Sequence, residues 1–465
     1  MKGPRLQSPR PPDHRSPPPT GFIARYGGTL LLAFIAGVAA ACEDDAPASP
    51  EQVDEAPRHG ECAPVPASVT GEGPIVWDTP EEIPIEVSAT LDDPRVVVGD
   101  DGTVAVAFRS LTFRDPDELM DRVFLVRKVG GRWTETEQPS DFTRRTQKPR
   151  IAIDAAGRVH FLWLEFEDTD EGRQDFLLHA IRSAGGWTPP DTVMAEIQPS
   201  LSVPWTPVAD ERGRLHLISE AASDPERRVF LYLGHWVWEE ANGWSYTIVS
   251  EHHNPLHPEV IQGREGQLLA TFIAADPTVI GRDRNSIFFV RSDDGGATWR
   301  GPHRIAPRSG LRAARRPRLA VASDERIHLV VHRDTSLATR SDVLEHIHSA
   351  DGECWTEPEP IGLPGSGIAG QHALVTDDAG GVHVVFFLPE EGIGVTGNVY
   401  LRYTYWNGEE WSPPEILFDF SLVQRVDLFR DRRTGLVHMV ASVVTGQEGV
   451  GRRILYTTGR FSAGE

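Results

Sequence analysis

Arg95, Arg150, Arg318 and Arg425 stand at one aligned position of a pattern that recurs along this 465-residue chain, with Thr206, Glu259 and Ala373 at the other three places. A guanidinium is planar, and its fork of N–H donors matches a carboxylate or sulfate bidentately. Four of them converging in a chain of formal charge −22 predict a pocket for an acidic ligand such as a sugar acid, with Glu259 beside them. The competing expectation is that each arginine pairs with a loop carboxylate, among them Glu165, Glu167, Asp276 and Asp334, and only fastens its strand. Five histidines, His160, His216, His328, His383 and His438, share a second aligned position. One per repeat within an apolar stretch reads as a packed hairpin site, not a metal ring. The carboxylate-rich segment 165–175 (EFEDTDEGRQD) reads as a solvated loop before a cation site.

A third pattern is RSDDGGATWRGP at 291–302, which places Ser292, Asp294, Gly296, Thr298 and Trp299 in one turn. An aspartate there accepts N–H groups of its own turn, and a glycine permits the tight reversal. Thr298 and Ser292 are expected to pair across the turn, and Trp299 to plug an apolar gap against the next unit. A calcium loop requires several more oxygen ligands, so the turn reads as structural.

The elements that must position these groups repeat throughout the body. Trp77, Trp133, Trp187, Trp244, Trp299, Trp355 and Trp411 lie 56, 54, 57, 55, 56 and 56 residues apart. Between them runs an apolar stretch, a tight turn and a second apolar stretch, seven times over, as in RIAIDAAGRVHFLW (150–163). Glycine occupies one turn position in six of the seven, the mark of a β-hairpin. A third apolar strand precedes each tryptophan turn, such as SIFFVRS at 286–292. Four short strands at this period define a propeller blade. The spacing therefore predicts an all-β, seven-bladed propeller over 75–465. The last third strand ends near the C-terminus, so the strand at Ile75–Ile83 is expected to complete the seventh blade and remove two free edges. Six blades with loose ends is the alternative. Strand order puts the short turns on one face and the long, variable loops on the other, where binding residues are expected.

The turn at 292–299 resembles the Asp-box, or bacterial neuraminidase repeat, of the sialidase-like propeller superfamily; SAGGWT (183–188), SADGECWT (349–356) and YWNGEEWS (405–412) are degraded copies. The resemblance covers roughly 75–461 and implies the fold far more specifically than any activity, since one fold hosts many. Family sialidases use three arginines, a tyrosine with a supporting glutamate, and an aspartate acid. Carried over, Arg95, Arg318 and Arg425 would be the arginines, Glu259 the glutamate, and Asp115 or Asp117 the acid. The family's Arg-Ile-Pro is replaced by Pro94-Arg95-Val96, and Tyr232, Tyr400, Tyr403 and Tyr456 fall on third strands, away from the axis.

The N-terminal 42 residues read as an export device. A basic, Pro-rich leader precedes the apolar run Thr29–Ala41, too short to span a bilayer. The run ends in Ala39-Ala40-Ala41-Cys42, which resembles a lipobox with Cys42 as the lipidated residue; alanine replaces its usual leucine. Simple secretion to the periplasm or medium is the alternative. Residues 43–74, acidic and rich in Pro and Ala, read as a disordered tether. Removing the leader's five basic residues and one acidic residue takes the formal charge from −22 to −26, which opposes nucleic acid and anionic membrane surfaces. Membrane association is thus expected only through the lipid anchor. Cys62 and Cys354 either form a disulfide or stay unpaired, and no metal or cofactor motif is present. The sequence predicts a monomeric, envelope-anchored propeller that binds a glycan or protein without catalysis. A hydrolase or lyase acting on acidic sugars is the alternative, and an architectural envelope component the second.

Overall fold

A computed structural model describes residues 71–462, apart from 86–89, 116–117, 142–143, 170–171, 198–205, 223–230, 253–254, 276–284, 307–311, 335–341, 363–370, 390–398, 422–424 and 445–450. The leader, Cys42, the tether and Cys62 lie outside the described residues.

Seven antiparallel sheets are present, six with their strands in chain order from the ring axis outward and the seventh ending in the N-terminal strand. The innermost strands of blades 1 to 7 are Thr90–Val98, Arg145–Ile153, Val208–Ala209, Leu256–Gln262, Arg312–Val321, Ala373–Thr376 and Arg425–Asp431. Second strands are the most buried because neighbouring blades cover both their faces; Leu268–Ala275 is buried at every residue but the last. Their sequences are accordingly near-continuous apolar runs, not alternating ones. Seven apolar clusters fill the spaces between blades, one of them combining Leu269, Ile287 and Phe289 of blade 4 with Leu319, Leu329 and Ile347 of blade 5.

The ring closes as expected. Ile75–Trp77 pairs antiparallel with Arg452–Phe461, Ile75 opposite Phe461 and Trp77 opposite Gly459, and Glu81–Glu82 continues along the same strand. Ile83 is buried in a cluster shared by blades 7 and 1. The backbone N–H of Ile75 donates to Tyr403 Oη of blade 6 at 2.8 Å. One strand therefore supplies the edge of blade 7 and touches both neighbours. The closed ring refutes the six-bladed alternative.

The five aligned histidines form part of a polar line across the blades. His160 Nδ1 lies 3.0 Å from His179 Nε2, and His160 Nε2 lies 3.3 Å from Asp154 Oδ2. Asp210, His216 and His235 repeat this arrangement, and in Asp377, His383 and Tyr403 a phenol replaces the outer imidazole. The aspartate also braces its hairpin turn: Asp154 Oδ1 accepts the N–H groups of Ala156 and Arg158. The packed-hairpin reading of these histidines thus agrees with the geometry. Among the described residues, no three His, Cys, Asp or Glu side chains are placed to hold a metal ion.

Candidate functional site

The inner strands surround a cavity of about 400 Å³ lined by Arg95, Arg150, Thr206, Glu259, Arg318, Ala373 and Asp427, with apolar residues deeper along the axis. Asp427, not Arg425, holds the equivalent place in blade 7. Arg95, Arg150 and Arg318 pair across their hairpins with Ala107, Leu162 and Val330, and Asp427 pairs with the corresponding Val440. Each of these residues lies four positions before the residue that opens its turn, and Asp431 opens the turn of blade 7. Arg425 stands six residues before the opening of its turn, where Arg95, Arg150 and Arg318 stand four before theirs, so the alignment through Arg425 is out of register by two. Arg425 instead lies 3.8 Å from Asp92, which Arg452 also approaches at 3.4 Å.

Each axial arginine is held by a carboxylate of the preceding blade. Arg95 Nη1 lies 3.4 Å from Asp427 Oδ1, and Arg318 Nη1 donates to Glu259 Oε1 at 2.8 Å. Arg150 Nη1 lies 3.1 Å from Asp93 Oδ2, while Arg95 Nη2 reaches Asp93 Oδ1 at 3.0 Å. The same acids cap the next strand's backbone: Val96 N–H donates to Asp427 Oδ2 and Leu319 N–H to Glu259 Oε2. The partners are thus axial carboxylates. Of the loop acids considered, Glu165 takes a hydrogen bond from Trp163 Nε1 and Glu167 pairs with Arg144. Asp334 ends the second strand of blade 5, and Asp276 lies outside the described residues.

Burial and pairing set the site's electrostatics. Burial would raise the Asp93 carboxyl, but Arg150, Arg95 and Arg425 outweigh it and hold it well below the ordinary carboxylate range. Burial, with Arg95 nearby, pushes Arg150 down to about 10 against the pull of Asp93. Burial drives the Glu259 carboxyl upward. Arg95 Nε is buried with no hydrogen-bond acceptor among the described residues.

A feature the sequence reading passed over lies just above this ring. Asp93, Lys148, His257 and Arg316 all have left-handed backbone, with φ of 49°, 54°, 50° and 52°. Each precedes a proline and stands two residues before the axial position, in Asp93-Pro94-Arg95, Lys148-Pro149-Arg150, His257-Pro258-Glu259 and Arg316-Pro317-Arg318. Each also sits in a break of the inner-strand register. A side chain in this region, before proline, costs on the order of 1–3 kcal/mol. Blades 3, 6 and 7 lack the motif, so the propeller itself does not require the strain. The legible signal was Xaa-Pro-Arg/Glu recurring in register with the repeat.

The turn at 292–299 is built as a brace on the opposite, short-turn face. Asp294 Oδ1 accepts Thr298 N–H at 2.8 Å and Ser292 Oγ–H at 2.8 Å, and its Oδ2 accepts Thr298 Oγ1–H at 2.6 Å. Ser292 and Thr298 thus meet through Asp294, not directly across the turn. Gly296 N–H closes onto Ser292 Oγ at 2.7 Å. The Thr298 hydroxyl and N–H hold the Asp294 carboxyl down at about 2. Trp299 packs edge-on against His235 of blade 3, so it plugs the gap to the preceding blade. Asp351 repeats the brace in blade 5, accepting from Glu353 and Cys354 N–H at 2.8 Å each. Cys354 is disulfide-bonded, with its partner outside the described residues.

Of the residues of the enzymatic expectation, Arg95, Arg318 and Glu259 line the axial cavity, and none of the four tyrosines is among its described lining. Tyr403 and Tyr456 lie on third strands and bond His383 and His438, and burial raises both phenols. Tyr232 and Tyr400 are also on third strands. Asp115 ends the second strand of blade 1, and Asp117 lies outside the described residues.

The chain has the fold of a seven-bladed β-propeller of four-stranded blades. No family model matches it, and no curated protein does. Among solved structures, an ulvan lyase of polysaccharide lyase family PL25 superposes with a TM-score of 0.56 at 9% identity, over 80% of this chain and 95% of that one. A protein of unknown function from Dyadobacter fermentans gives 0.48 at 14% identity over 83% and 99%, and the Trypanosoma rangeli sialidase 0.44 at 10% over 80% and 55%. The likeness is one of fold.

Proposed function

We propose that this propeller recognises an acidic saccharide at its axial mouth on the long-loop face, without cleaving it. The observation that carries the reading is the strained rim. Four inner strands bear left-handed pre-proline residues two positions before a cavity-lining residue, and strain of this kind persists where a site uses the geometry it creates. Lys148 and Arg316 supply cationic groups for a carboxylate or sulfate, and His257 a further polar ring. The arginine floor supports the same chemistry through the unsatisfied Nε of Arg95. Binding without cleavage is favoured because the described cavity lining contains arginines committed to carboxylates and, among the described residues, no tyrosine.

The protein acts, in this reading, as an exported monomer held to the bacterial envelope by lipid on Cys42, with a glycan as partner and no nucleic acid. The disulfide at Cys354 supports an oxidising compartment. The test is titration of the purified body with glucuronate-, sialate- and sulfate-bearing disaccharides, and with neutral ones. Binding confined to the acidic set, weakened at least about tenfold in Lys148→Gln as loss of a charge-assisted contact implies, is the expected result. Equal binding of neutral sugars, or turnover of any of them, overturns the reading.

A further inference from the structure

The axial cavity changes character with depth. Arg95, Arg150, Glu259, Arg318 and Asp427 ring it with charge, and every described lining residue on the turn side of that ring is apolar except Gln262. In blades 1 to 4 the lining runs over four consecutive residues, as from Arg95 to Val98. At about 3.3 Å per residue, the apolar part therefore reaches about 10 Å beyond the ring. Side chains two apart on a strand share a face, which sets Val97, Val208, Ile261 and Phe429 one step below the ring residues of their blades. All four are half-buried although they stand on the innermost strands of a closed ring, so the surface they keep faces the cavity.

Backbone groups of this well are capped at both ends. At the ring, Asp427 accepts Val96 N–H and Glu259 accepts Leu319 N–H. On the turn side, Val321 O accepts Thr376 Oγ1–H at 2.9 Å and Arg432 Nη2–H at 3.3 Å, and Thr376 O accepts Arg430 Nη1–H at 2.8 Å. These bonds tie blades 5, 6 and 7 together at the turn-side end. The cavity's 400 Å³ equals about thirteen waters at about 30 Å³ each. A buried water needs about two to four polar partners, and buried sugar hydroxyls need theirs. Below the ring, Gln262 is the one polar side chain of the described lining. An alkyl chain needs no such partner, and it gains by leaving water for an apolar wall.

We propose that the axial cavity takes an amphiphilic acid: an acid-bearing sugar at the charged ring, joined to a linear alkyl aglycone that descends into the apolar well. The inference rests on the acidic-saccharide reading above and adds what the sugar is joined to.

The test titrates the exported chain, residues 43–465, with methyl, butyl, hexyl and octyl β-glucuronide below their micelle-forming concentrations. Octyl β-glucoside and octanoate accompany them. In the parent, affinity should rise roughly threefold per methylene from butyl to octyl, as burial of a CH2 implies. Gln262→Glu keeps the side chain's size and sets a carboxylate at the foot of the well. It should weaken octyl glucuronide at least about tenfold and flatten the rise with chain length. Ala209→Leu fills the same depth in blade 3 and should flatten the rise as well. Both variants are checked by thermal unfolding. Methyl glucuronide binding with no gain from longer chains overturns the well and leaves the mouth reading intact, as does an unchanged rise in folded Gln262→Glu. Octyl glucoside bound as tightly as octyl glucuronide, or no glucuronide bound at all, removes the acidic-saccharide reading and this proposal with it. Octanoate bound as tightly as octyl glucuronide overturns the sugar head.

Discussion

Acidification from pH 7.5 to pH 5 should destabilise this propeller steeply. The cause is its buried imidazoles. Burial first, then neighbouring His216, holds His235 down at about 3; burial and Arg326 hold His348 at about 4, and burial with Lys128 holds His438 at about 4 despite the opposing Asp431. An unfolded histidine titrates near 6.5. Above that pH both states are neutral and the histidines contribute no pH dependence. Below it the unfolded chain takes up protons that the fold refuses, so stability falls until pH reaches the folded values. At pH 5 each of the three costs about 2 kcal/mol, or about 6 kcal/mol together. His179, His328, His346 and His372, all lowered by burial, add in the same direction. The assay is equilibrium urea unfolding followed by tryptophan fluorescence at pH 8, 6.5, 5.5 and 5. His348→Leu isolates one contribution, because His348 Nδ1 has no hydrogen-bond partner among the described residues. Relative to the parent, that variant should recover about 2 kcal/mol between pH 7.5 and pH 5. Stability unchanged from pH 8 to 5, or a variant with the parent's slope, would refute the reasoning.

Deleting residues 71–85 removes the closing strand together with Ile75 and Ile83, buried at 4% and 1% exposure; at about 1.5–3 kcal/mol per side chain, the body should fail to fold, and an unchanged melting temperature would sink the closure. Asp294→Ala removes the acceptor of three turn hydrogen bonds and should cost about 1–3 kcal/mol in urea unfolding, while saccharide titrations stay superimposable on the parent's. A non-reducing digest should link Cys354 to Cys62. The chain enters the described body on blade 6, where Gly71 N–H bonds Asn407 O and Glu72 N–H bonds Asp377, and Cys62 is nine residues upstream, within about 30 Å. Reduction should lower stability by about 2–4 kcal/mol; a link to Cys42 instead would exclude lipid there.

What the sequence made legible was whatever repeats. Tryptophan spacing, turn glycines and apolar runs come from blade geometry that each unit must satisfy separately, so seven noisy copies agree on seven blades, and counting strands locates the closing one. The axial site obeys a different logic. Apart from the local Asp93–Arg95 contact, its arginines are neutralised by acids about 60 residues away, as Glu259 is for Arg318, or more than 330 away, as Asp427 is for Arg95. No local pattern announces such partners. Arg425 shows how alignment by residue type fails there: an arginine looked more equivalent to Arg95 than an aspartate did, yet backbone pairing puts Asp427 at the place. The acid is what makes the ring consistent, because each clamped blade offers either a cation to the blade before it or an anion to the blade after it. Asp93 does the second beside Arg95, which does the first. Thr206 and Ala373 carry no charge at this position, so the belt is interrupted at blades 3 and 6. Blades 4 and 5 therefore form one clamped pair and blades 7, 1 and 2 another. A ligand bridging Lys148 of blade 2 and Arg316 of blade 5 would join the two arcs across the mouth. It should consequently raise the unfolding temperature by more than its contact with either arc alone, since binding to the closed ring alone stabilises that ring by mass action.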